Sequence, residues 1–148
     1  MGIDISRLSP QAQNEIYRQK IARDRQSKYG NQKTPRVMPN GETLNFDSKK
    51  EAERFDILSM LFKTGNIRKL RLQEQFTLQE SYIDSNGDRV LAIKYKADFT
   101  YERPTEPDSS GQVHWIKVVE DVKGRRTKEY IMKKKLMRER FGIAIKEV

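Results

Sequence analysis

The sequence of 148 residues contains no cysteine and a single histidine, His114. The absence of cysteine excludes disulfide bonds and cysteine-ligated zinc, and it fits a reducing compartment such as the cytoplasm. One histidine is too few for a histidine-rich metal site. The sequence also lacks a run of about 20 apolar residues, the length that a membrane-spanning helix needs. We therefore expect a cytoplasmic protein with no membrane partner.

Positive charge, in contrast, is abundant and unevenly distributed. The chain carries 30 Lys and Arg against 21 Asp and Glu, a formal net charge of +9. Residues 123–148 contain ten basic and three acidic residues, residues 1–47 eight and five, and residues 48–122 twelve and thirteen. This balance favours a polyanionic partner such as nucleic acid, with basic ends that flank a nearly neutral centre. A basic surface also fits an anionic membrane or a purely solubilising role.

The helix and strand signals predict one domain that follows a basic helical arm. Ser9 and Pro10 are typical of a helix start, and this helix extends to about Tyr29. After a linker and a small hairpin, the order is helix, three strands, helix and strand, that is α-β-β-β-α-β. We expect the arm and linker over residues 1–35 and an α/β domain of the α+β kind over residues 36–148.

The elements of the domain are predicted from apolar spacing and from capping residues. The first helix is expected to bury a stripe that includes Phe55, Leu58 and Phe62. The strand that ends in Asp121 has apolar residues on both faces, so we expect it to be central. The predicted bounds are about 48–64 and 127–141 for the helices, and about 70–78, 93–101, 113–124 and 143–145 for the strands.

Two acidic residues on neighbouring predicted strands are the strongest indication of chemistry. Asp98 lies on one strand and Asp121 on the next, and Lys123 shares a face with Asp121 because strand side chains alternate. Magnesium in proteins is usually held by one or two carboxylates together with water and substrate phosphate. The carbonyl of Val122 could complete the protein ligands, and Lys123 would reach the attacking water or the phosphate oxygens. This pattern predicts a magnesium-dependent phosphodiesterase site.

Glu51 is the candidate that the first helix contributes to this site. It falls within the apolar stripe, where a carboxylate requires an explanation. Glu53 points away from the stripe and is a poorer candidate. Ser48 and Glu51 also have the spacing of a capping box, which alone would explain both residue types. Both roles for Glu51 remain open at this point.

The order Glu…Asp…Asp-x-Lys, formed by Glu51, Asp98, Asp121 and Lys123, resembles the PD-(D/E)xK nuclease superfamily. Residues 46–55, 95–101 and 119–124 resemble, more narrowly, a family of small phage and prophage endonucleases that is similar to Holliday-junction resolvases. The resemblance covers about residues 36–148. It implies a restriction-endonuclease-like mixed β-sheet flanked by helices, dependence on magnesium or manganese, a homodimer, and a location in the cytoplasm of a bacterial host.

The resemblance also implies roles for individual residues. Glu51, Asp98, Asp121 and the Val122 carbonyl would be metal ligands, and Lys123 the catalytic lysine. Two positions depart from the pattern, because Ala97 replaces a nominal proline, and Asp121, which stands where many relatives have Glu, has a shorter reach to the metal. The expected nucleic-acid-binding cations are Lys94, Lys96, Arg125, Arg126, Lys133 and Lys134.

Simpler explanations exist for each residue alone. Asp-x-Lys occurs by chance in many proteins, so Asp121 and Lys123 could form a surface ion pair. Asp98 shares a strand face with Lys94 and Lys96 and could be their solvated partner. Taken together, the residues favour a metal-dependent DNA endonuclease that acts on branched or recombining DNA. The alternatives are a non-catalytic nucleic-acid-binding module on the same fold and a phage structural or packaging adaptor that binds an acidic protein.

Overall fold

The computed structural model describes residues 9, 11–12, 15, 33–38, 41–122 and 125–148. The chain divides into two compact units, Met1–Lys49 and Lys50–Val148, which are described separately. Within the described ranges the fold is a mixed α and β fold, with two helices and four small sheets. None of the described helices has both the length and the apolar character needed to cross a bilayer.

The first unit contains a helix start and a hairpin. The Ser9 hydroxyl accepts a hydrogen bond from the backbone N–H of Ala12 at 3.3 Å, as expected for an N-cap, and the rest of the predicted helix to Tyr29 lies outside the described residues. Strands β1 (Thr34–Val37) and β2 (Thr43–Phe46) form the predicted antiparallel hairpin. Strand β1 begins inside the segment that the sequence predicted to be a linker.

The second unit is organised around a four-stranded sheet. Its strands are β3 (Arg68–Leu72), β8 (Phe99–Pro104), β9 (Trp115–Asp121) and β10 (Lys146–Glu147), and their order in space is β10-β9-β8-β3. Strand β9 is central, as its apolar residues predicted. It pairs antiparallel with β8 and parallel with β10. Helix α1 (Lys49–Lys63) precedes β3, and helix α2 (Lys128–Phe141) lies between β9 and β10.

A hairpin extension is inserted between β3 and β8. Strands β4 (Gln75–Gln79) and β7 (Ile93–Lys96) pair antiparallel, and β5 (Tyr82–Ile83) pairs with β6 (Arg89–Val90) beyond them. Two predicted single strands were therefore wrong. The segment 70–78 is split at Gln73, whose φ is 54°, and the segment 93–101 is split by a bend at Asp98. At each break the chain passes from one sheet to another, and apolar alternation does not report such a change.

The core of the second unit lies on both faces of the main sheet. On one face, Phe55 of α1 stacks on Phe99 with ring centroids 6.5 Å apart. On the other, Tyr130 and Met137 of α2 join a buried cluster that includes Val119. Helix α1 buries Ala52, Phe55 and Leu58, whereas Phe62 is 50% exposed, so the predicted apolar stripe ends earlier than expected.

Both ends of α2 agree with the sequence. The Thr127 hydroxyl accepts a hydrogen bond from the Tyr130 N–H at 3.1 Å, and Gly142 adopts a left-handed φ of 67° at the C-terminal cap. The final strand was predicted at residues 143–145, but it forms at Lys146–Glu147 beside the end of β9. Because Glu147 pairs with Asp121, this strand holds the end of β9 that carries the candidate site.

Candidate active site

Asp98 and Asp121 lie side by side where β8 begins and β9 ends. Phe99 pairs with Glu120, so the residues on either side of that pair, Asp98 and Asp121, face each other across the two strands. The Asp98 carboxylate accepts a hydrogen bond from the backbone N–H of Val122 at 2.7 Å. Asp121 is 2% exposed, and Asp98 is only partly buried. Asp98 is therefore the member of the pair that faces solvent.

The pKa of Asp98 depends on its surroundings. Burial, and after it the negative charges of Asp121 and Glu51, raise its pKa from 3.8 to about 7, against the opposing hydrogen bond from Val122. The contributions of Asp121 and Glu51 mean that both carboxylates lie close to Asp98. Asp98, Asp121 and Glu51 therefore form one acidic region. Glu51 belongs to it through the first turn of α1. Glu51 also takes part in other interactions, so its possible capping role stays open.

The carboxylate oxygens of this acidic region are suitable ligands for a hard divalent cation. Carboxylate oxygens are the ligands that magnesium prefers, and one or two of them with water suffice. Within the described residues, no group of three or more His, Cys, Asp or Glu side chains has the arrangement of a preformed metal cage. The Asp98–Asp121 pair is thus the part of the predicted ligand set that is brought together directly, and Glu51 acts on it through its charge.

Tyr95 orients the buried carboxylate of the pair. Its hydroxyl donates a hydrogen bond to Asp121 at 2.8 Å. Burial, followed by the negative charge of Asp121, raises the pKa of Tyr95, so this hydroxyl stays protonated and remains a donor. Tyr95 belongs to the core, since the residue is 4% exposed. Its polar contact with Asp121 was not expected.

A buried ion pair, missed at the sequence level, joins α1 to β9. The Arg54 guanidinium donates two hydrogen bonds to the Glu120 carboxylate, at 2.8 and 2.6 Å, and Glu120 is fully buried. The Tyr101 hydroxyl and the Lys146 ammonium complete the partners of Glu120, at 2.5 and 3.3 Å. Burial raises the pKa of Glu120, but its hydrogen bonds to Arg54 and Tyr101 outweigh this effect and lower it overall.

This ion pair has consequences for the acidic residues beside it. Arg54 lies one helical turn after Glu51, and Glu120 directly precedes Asp121. A two-pronged contact between guanidinium and carboxylate restricts both position and rotation. It therefore fixes the part of α1 that carries Glu51 against the strand that carries Asp121. The only sequence-level indication was an acidic residue at a central-strand position, where a charge requires a partner.

Comparison with known protein families shows which family the chain belongs to. A family model described as a protein of unknown function, DUF1064, matches residues 26–146. The chain belongs to the DUF1064 family. No curated protein and no solved structure matches it.

The roles predicted for Lys123 and for the Val122 carbonyl stay predictions in this DUF1064 protein. Lys123, the predicted catalytic lysine, lies outside the described residues. Val122 contacts the site through its N–H, whereas the metal-ligand role of its carbonyl stays a prediction. The proposed ion pair between Asp121 and Lys123 likewise stays untested.

The predicted nucleic-acid-binding cations of the DUF1064 protein are spread over separate surfaces. Lys94 and Lys96 flank the buried Tyr95 on β7 and point to the opposite, exposed side. The bend before β8 separates them from Asp98, although regular alternation predicted a shared face. Arg125 is exposed.

The cations at the start of α2 and along it are held by carboxylates. Glu147 accepts hydrogen bonds from Arg126 and from Lys134, the latter at 2.7 Å. These contacts, led by the one with Lys134, lower the pKa of Glu147 to about 2, so Glu147 stays charged at neutral pH. Lys133 pairs with Glu129 at 2.7 Å along the helix. A phosphate would have to compete with these carboxylates, and a role for the three cations in binding nucleic acid stays a prediction.

Proposed function

We propose that this DUF1064 protein is a metal-dependent DNA endonuclease that hydrolyses phosphodiester bonds, with branched or recombining DNA as its preferred substrate. The observation that carries the proposal is the Asp98–Asp121 pair, in which one carboxyl group has a pKa of about 7 because it lies, partly buried, beside other carboxylates. Such an arrangement costs folding free energy, and a bound cation would relieve it.

The order of elements supports the proposal. Helix α1, strands β3, β8 and β9, helix α2 and strand β10 follow the succession α-β-β-β-α-β around one mixed sheet, with the β4–β7 extension as an insertion. This is the order expected for a restriction-endonuclease-like domain of the PD-(D/E)xK superfamily. Asp98 directly precedes β8 and Asp121 is the last residue of β9, so the two carboxylates lie at adjacent strand ends. The net charge of +9 fits a nucleic-acid substrate.

Each residue would then have a distinct role. Asp98 and Asp121 would hold magnesium or manganese, with Glu51 and the Val122 carbonyl as further ligands. The ion would supply an activated water and charge stabilisation at the phosphate. Tyr95 keeps the Asp121 carboxylate in one orientation, and the Val122 N–H does the same for Asp98. Lys123 would place an ammonium group beside the phosphate oxygens. Because Asp98 is the exposed member of the pair, substrate would approach from its side.

The test is cleavage of a plasmid and of a synthetic four-way junction, with linear duplex of the same sequence as the reference substrate. Wild-type protein should cut with magnesium or manganese and should not cut with EDTA. Asp98→Asn and Asp121→Asn should lose on the order of a hundredfold or more in rate, because each removes a ligand charge. Asp88→Asn is the matched control, since Asp88 is an exposed aspartate in the turn between β5 and β6. Equal cutting by all four proteins would refute the site.

The second candidate is a non-catalytic nucleic-acid-binding module. It is favoured by the observation that no three-carboxylate cage is preformed among the described residues. This module would bind DNA with strong salt dependence and without divalent ions. Binding without any metal-dependent cutting, by wild type and both variants alike, would select it over the endonuclease. The predicted homodimer is tested separately, by the mass of the protein in sedimentation equilibrium.

A further inference from the structure

A cluster of positive side chains lies on the main sheet, away from the carboxylate pair. Four cations meet there, Arg68, Lys69 and Arg71 from β3 and Lys117 from β9. Lys69, Arg71 and Lys117 line a depression of about 180 Å³ together with Glu74 and Glu102, and Arg68 is paired with Glu102 at its edge. We call these four cations and two glutamates the β3 basic cluster. None of its members belongs to the set that the sequence predicted to bind nucleic acid.

The backbone of β3 is distorted, and the distortion brings positively charged side chains of β3 to one face. Arg68 pairs with Glu102 and Arg71 pairs with Thr100, so three steps along β3 oppose two steps along β8. The bulge contains Lys69, which has a left-handed φ of 53°. In a regular strand Arg68 and Lys69 would point to opposite faces. Here both reach the same Glu102 carboxylate, at 2.6 and 2.7 Å.

The distortion is costly for the residue that adopts it. A non-glycine residue in the left-handed region is uncommon, and the strain costs on the order of 1 kcal/mol or more. Lys69 and Gln73 are the non-glycine residues with positive φ within the described ranges, and both belong to this stretch of β3 or its end. Bulges of this kind commonly re-aim a side chain at a binding site. The bulge at Lys69 on the edge strand β3 therefore brings its side chain to the carboxylate that also holds Arg68.

The charge of the cluster is not balanced internally. Four cations face two carboxylates, which leaves a surplus of two positive charges. Burial opposes ionisation of Glu74, but hydrogen bonds from Lys117 and Thr100 keep its pKa below the usual value, and contacts with Lys69 and Arg68 lower that of Glu102. Both glutamates are therefore charged at neutral pH. The Lys69 and Arg71 side chains are 62% and 66% exposed, so they remain accessible to a ligand.

The two glutamates hold the cations in fixed positions. Lys117 donates a hydrogen bond to the Glu74 carboxylate at 2.8 Å. The Arg71 guanidinium lies 3.9 Å from the same carboxylate, which is a long distance for an ion pair. The Arg68 guanidinium also stacks on Trp115, 4.3 Å from the ring centroid. Fixed cations lose less conformational entropy on binding than free ones do. The cluster is therefore a group of cations held in defined positions rather than a set of independent lysines.

The register places this surface on the same face of the sheet as the carboxylate pair. Glu102 pairs with Lys117, and four residues further along β9 lies Asp121. Because the offset is even, Lys117 and Asp121 share a face. At about 3.4 Å per residue the two are about 14 Å apart along the strand. Nucleic acid rises about 3.4 Å per nucleotide along one strand, so this separation is about four nucleotides.

We propose that the β3 basic cluster binds the phosphate backbone of nucleic acid about two to four nucleotides from the Asp98–Asp121 pair, because Arg71 pairs with Thr100, two residues from Asp98, and Lys69 contacts Glu102, four residues from Asp98. Lys69 and Arg71, the most exposed of the four, make the phosphate contacts, for which Lys69 gives up its contact with Glu102. Arg68 stays paired with Glu102 and Lys117 with Glu74. This inference rests on the proposed function for the identity of its ligand. It adds a binding surface to that function and assigns no role in the chemistry.

The test measures binding without catalysis. Fluorescence anisotropy of a labelled duplex and of a four-way junction is recorded in EDTA over a series of salt concentrations. The variants are Lys69→Asn, which removes the charge while asparagine tolerates the left-handed backbone, and Arg71→Gln. Arg103→Gln is the matched control, because Arg103 is exposed on the opposite face of β8 and its replacement changes the net charge equally. Circular dichroism checks that all variants are folded.

The expected effect follows from counterion release. Each lost phosphate contact should reduce the slope of log K against log salt by about 0.9, which is about eightfold in affinity at 0.1 M salt. Lys69→Asn and Arg71→Gln should each show this loss, and Arg103→Gln should bind like wild type. Equal losses in Arg103→Gln, unchanged binding in both cluster variants, or no salt-dependent binding by wild type would each overturn the inference.

The two proposals fail in different ways. If wild type binds through the cluster but never cuts DNA, the endonuclease proposal fails and the binding surface stands. If Asp98→Asn abolishes cutting while Lys69→Asn and Arg71→Gln bind normally, the binding surface fails and the endonuclease stands.

Discussion

Replacing Asp98 with asparagine should stabilise the protein above neutral pH and remove the proposed activity. The pKa of Asp98 rises from 3.8 to about 7 in the folded protein. A shift of about 3 units corresponds to about 4 kcal/mol at about 1.4 kcal/mol per unit. Because Asp98 is only partly buried, solvent screening reduces this figure, and we expect about 2 kcal/mol. The asparagine side chain would keep an oxygen that can accept the hydrogen bond from Val122.

The sign of the pH dependence follows from the direction of the shift. A raised folded-state pKa means that the unfolded chain loses this proton first, so wild-type stability falls as pH rises from about 4 to about 7. Above pH 7 the penalty is complete. The variant does not titrate at this position. The difference between Asp98→Asn and wild type should therefore be about 1 kcal/mol at pH 4.5 and about 2 kcal/mol at pH 8.

The measurement is thermal and urea unfolding of both proteins at pH 4.5 and pH 8. At about 2–4 °C per kcal/mol for a chain of this length, Tm should rise by about 4–8 °C at pH 8. Magnesium should raise the Tm of wild type more than that of the variant, because the ion offsets the same repulsion. Asp88→Asn is again the control and should leave Tm unchanged at both pH values. An Asp98→Asn protein no more stable than wild type at pH 8 would show that the acidic residues do not converge as described.

Three further predictions concern the groups that support the site. Tyr95→Phe removes the hydrogen bond to the buried Asp121 carboxylate and should cost about 1.5–3 kcal/mol in the free energy of unfolding, measured by urea titration; an unchanged midpoint would mean that this hydrogen bond does not matter. Arg54→Met leaves the buried Glu120 without its main partner and should cost about 3–5 kcal/mol in the free energy of unfolding. The double variant Arg54→Met/Glu120→Met should recover most of that loss. A double variant as unstable as the single one would contradict the ion-pair explanation. Met137→Ala empties a fully buried position in the core and should cost about 2–5 kcal/mol, with Met132→Ala on the exposed side of the same helix as a near-neutral control in the same titration.

Much of the local structure follows from short-range sequence signals. Thr127 and Gly142 bound α2 because a hydroxyl satisfies the free N–H groups at one end and a glycine accepts the left-handed turn at the other. The central position of β9 follows from apolar residues on both of its faces. The adjacency of Asp98 and Asp121 also followed from the sequence, since it needed only two successive strands that pair.

The supporting contacts could not be predicted in the same way. Arg54 and Glu120 are 66 positions apart, and Tyr95 and Asp121 are 26 apart. No periodicity links such residues, because each pairing depends on how a helix or a second sheet packs on the main one. Phe62 shows the same limit, since its spacing fits the buried stripe of α1 but the residue is 50% exposed.

The sequence by itself determined the charge balance, the caps of the second helix, the order of the main elements and the pair of aspartates at two strand ends. These features depend on residues that are close in the chain or on composition. Only the tertiary structure decided that Asp98 leaves the face of Lys94 and Lys96, that Arg54 fixes α1 to β9, and that a bulge at Lys69 collects four cations on one face. Bends, bulges and buried ion pairs are set by packing between distant segments, and their energies do not appear in any local pattern.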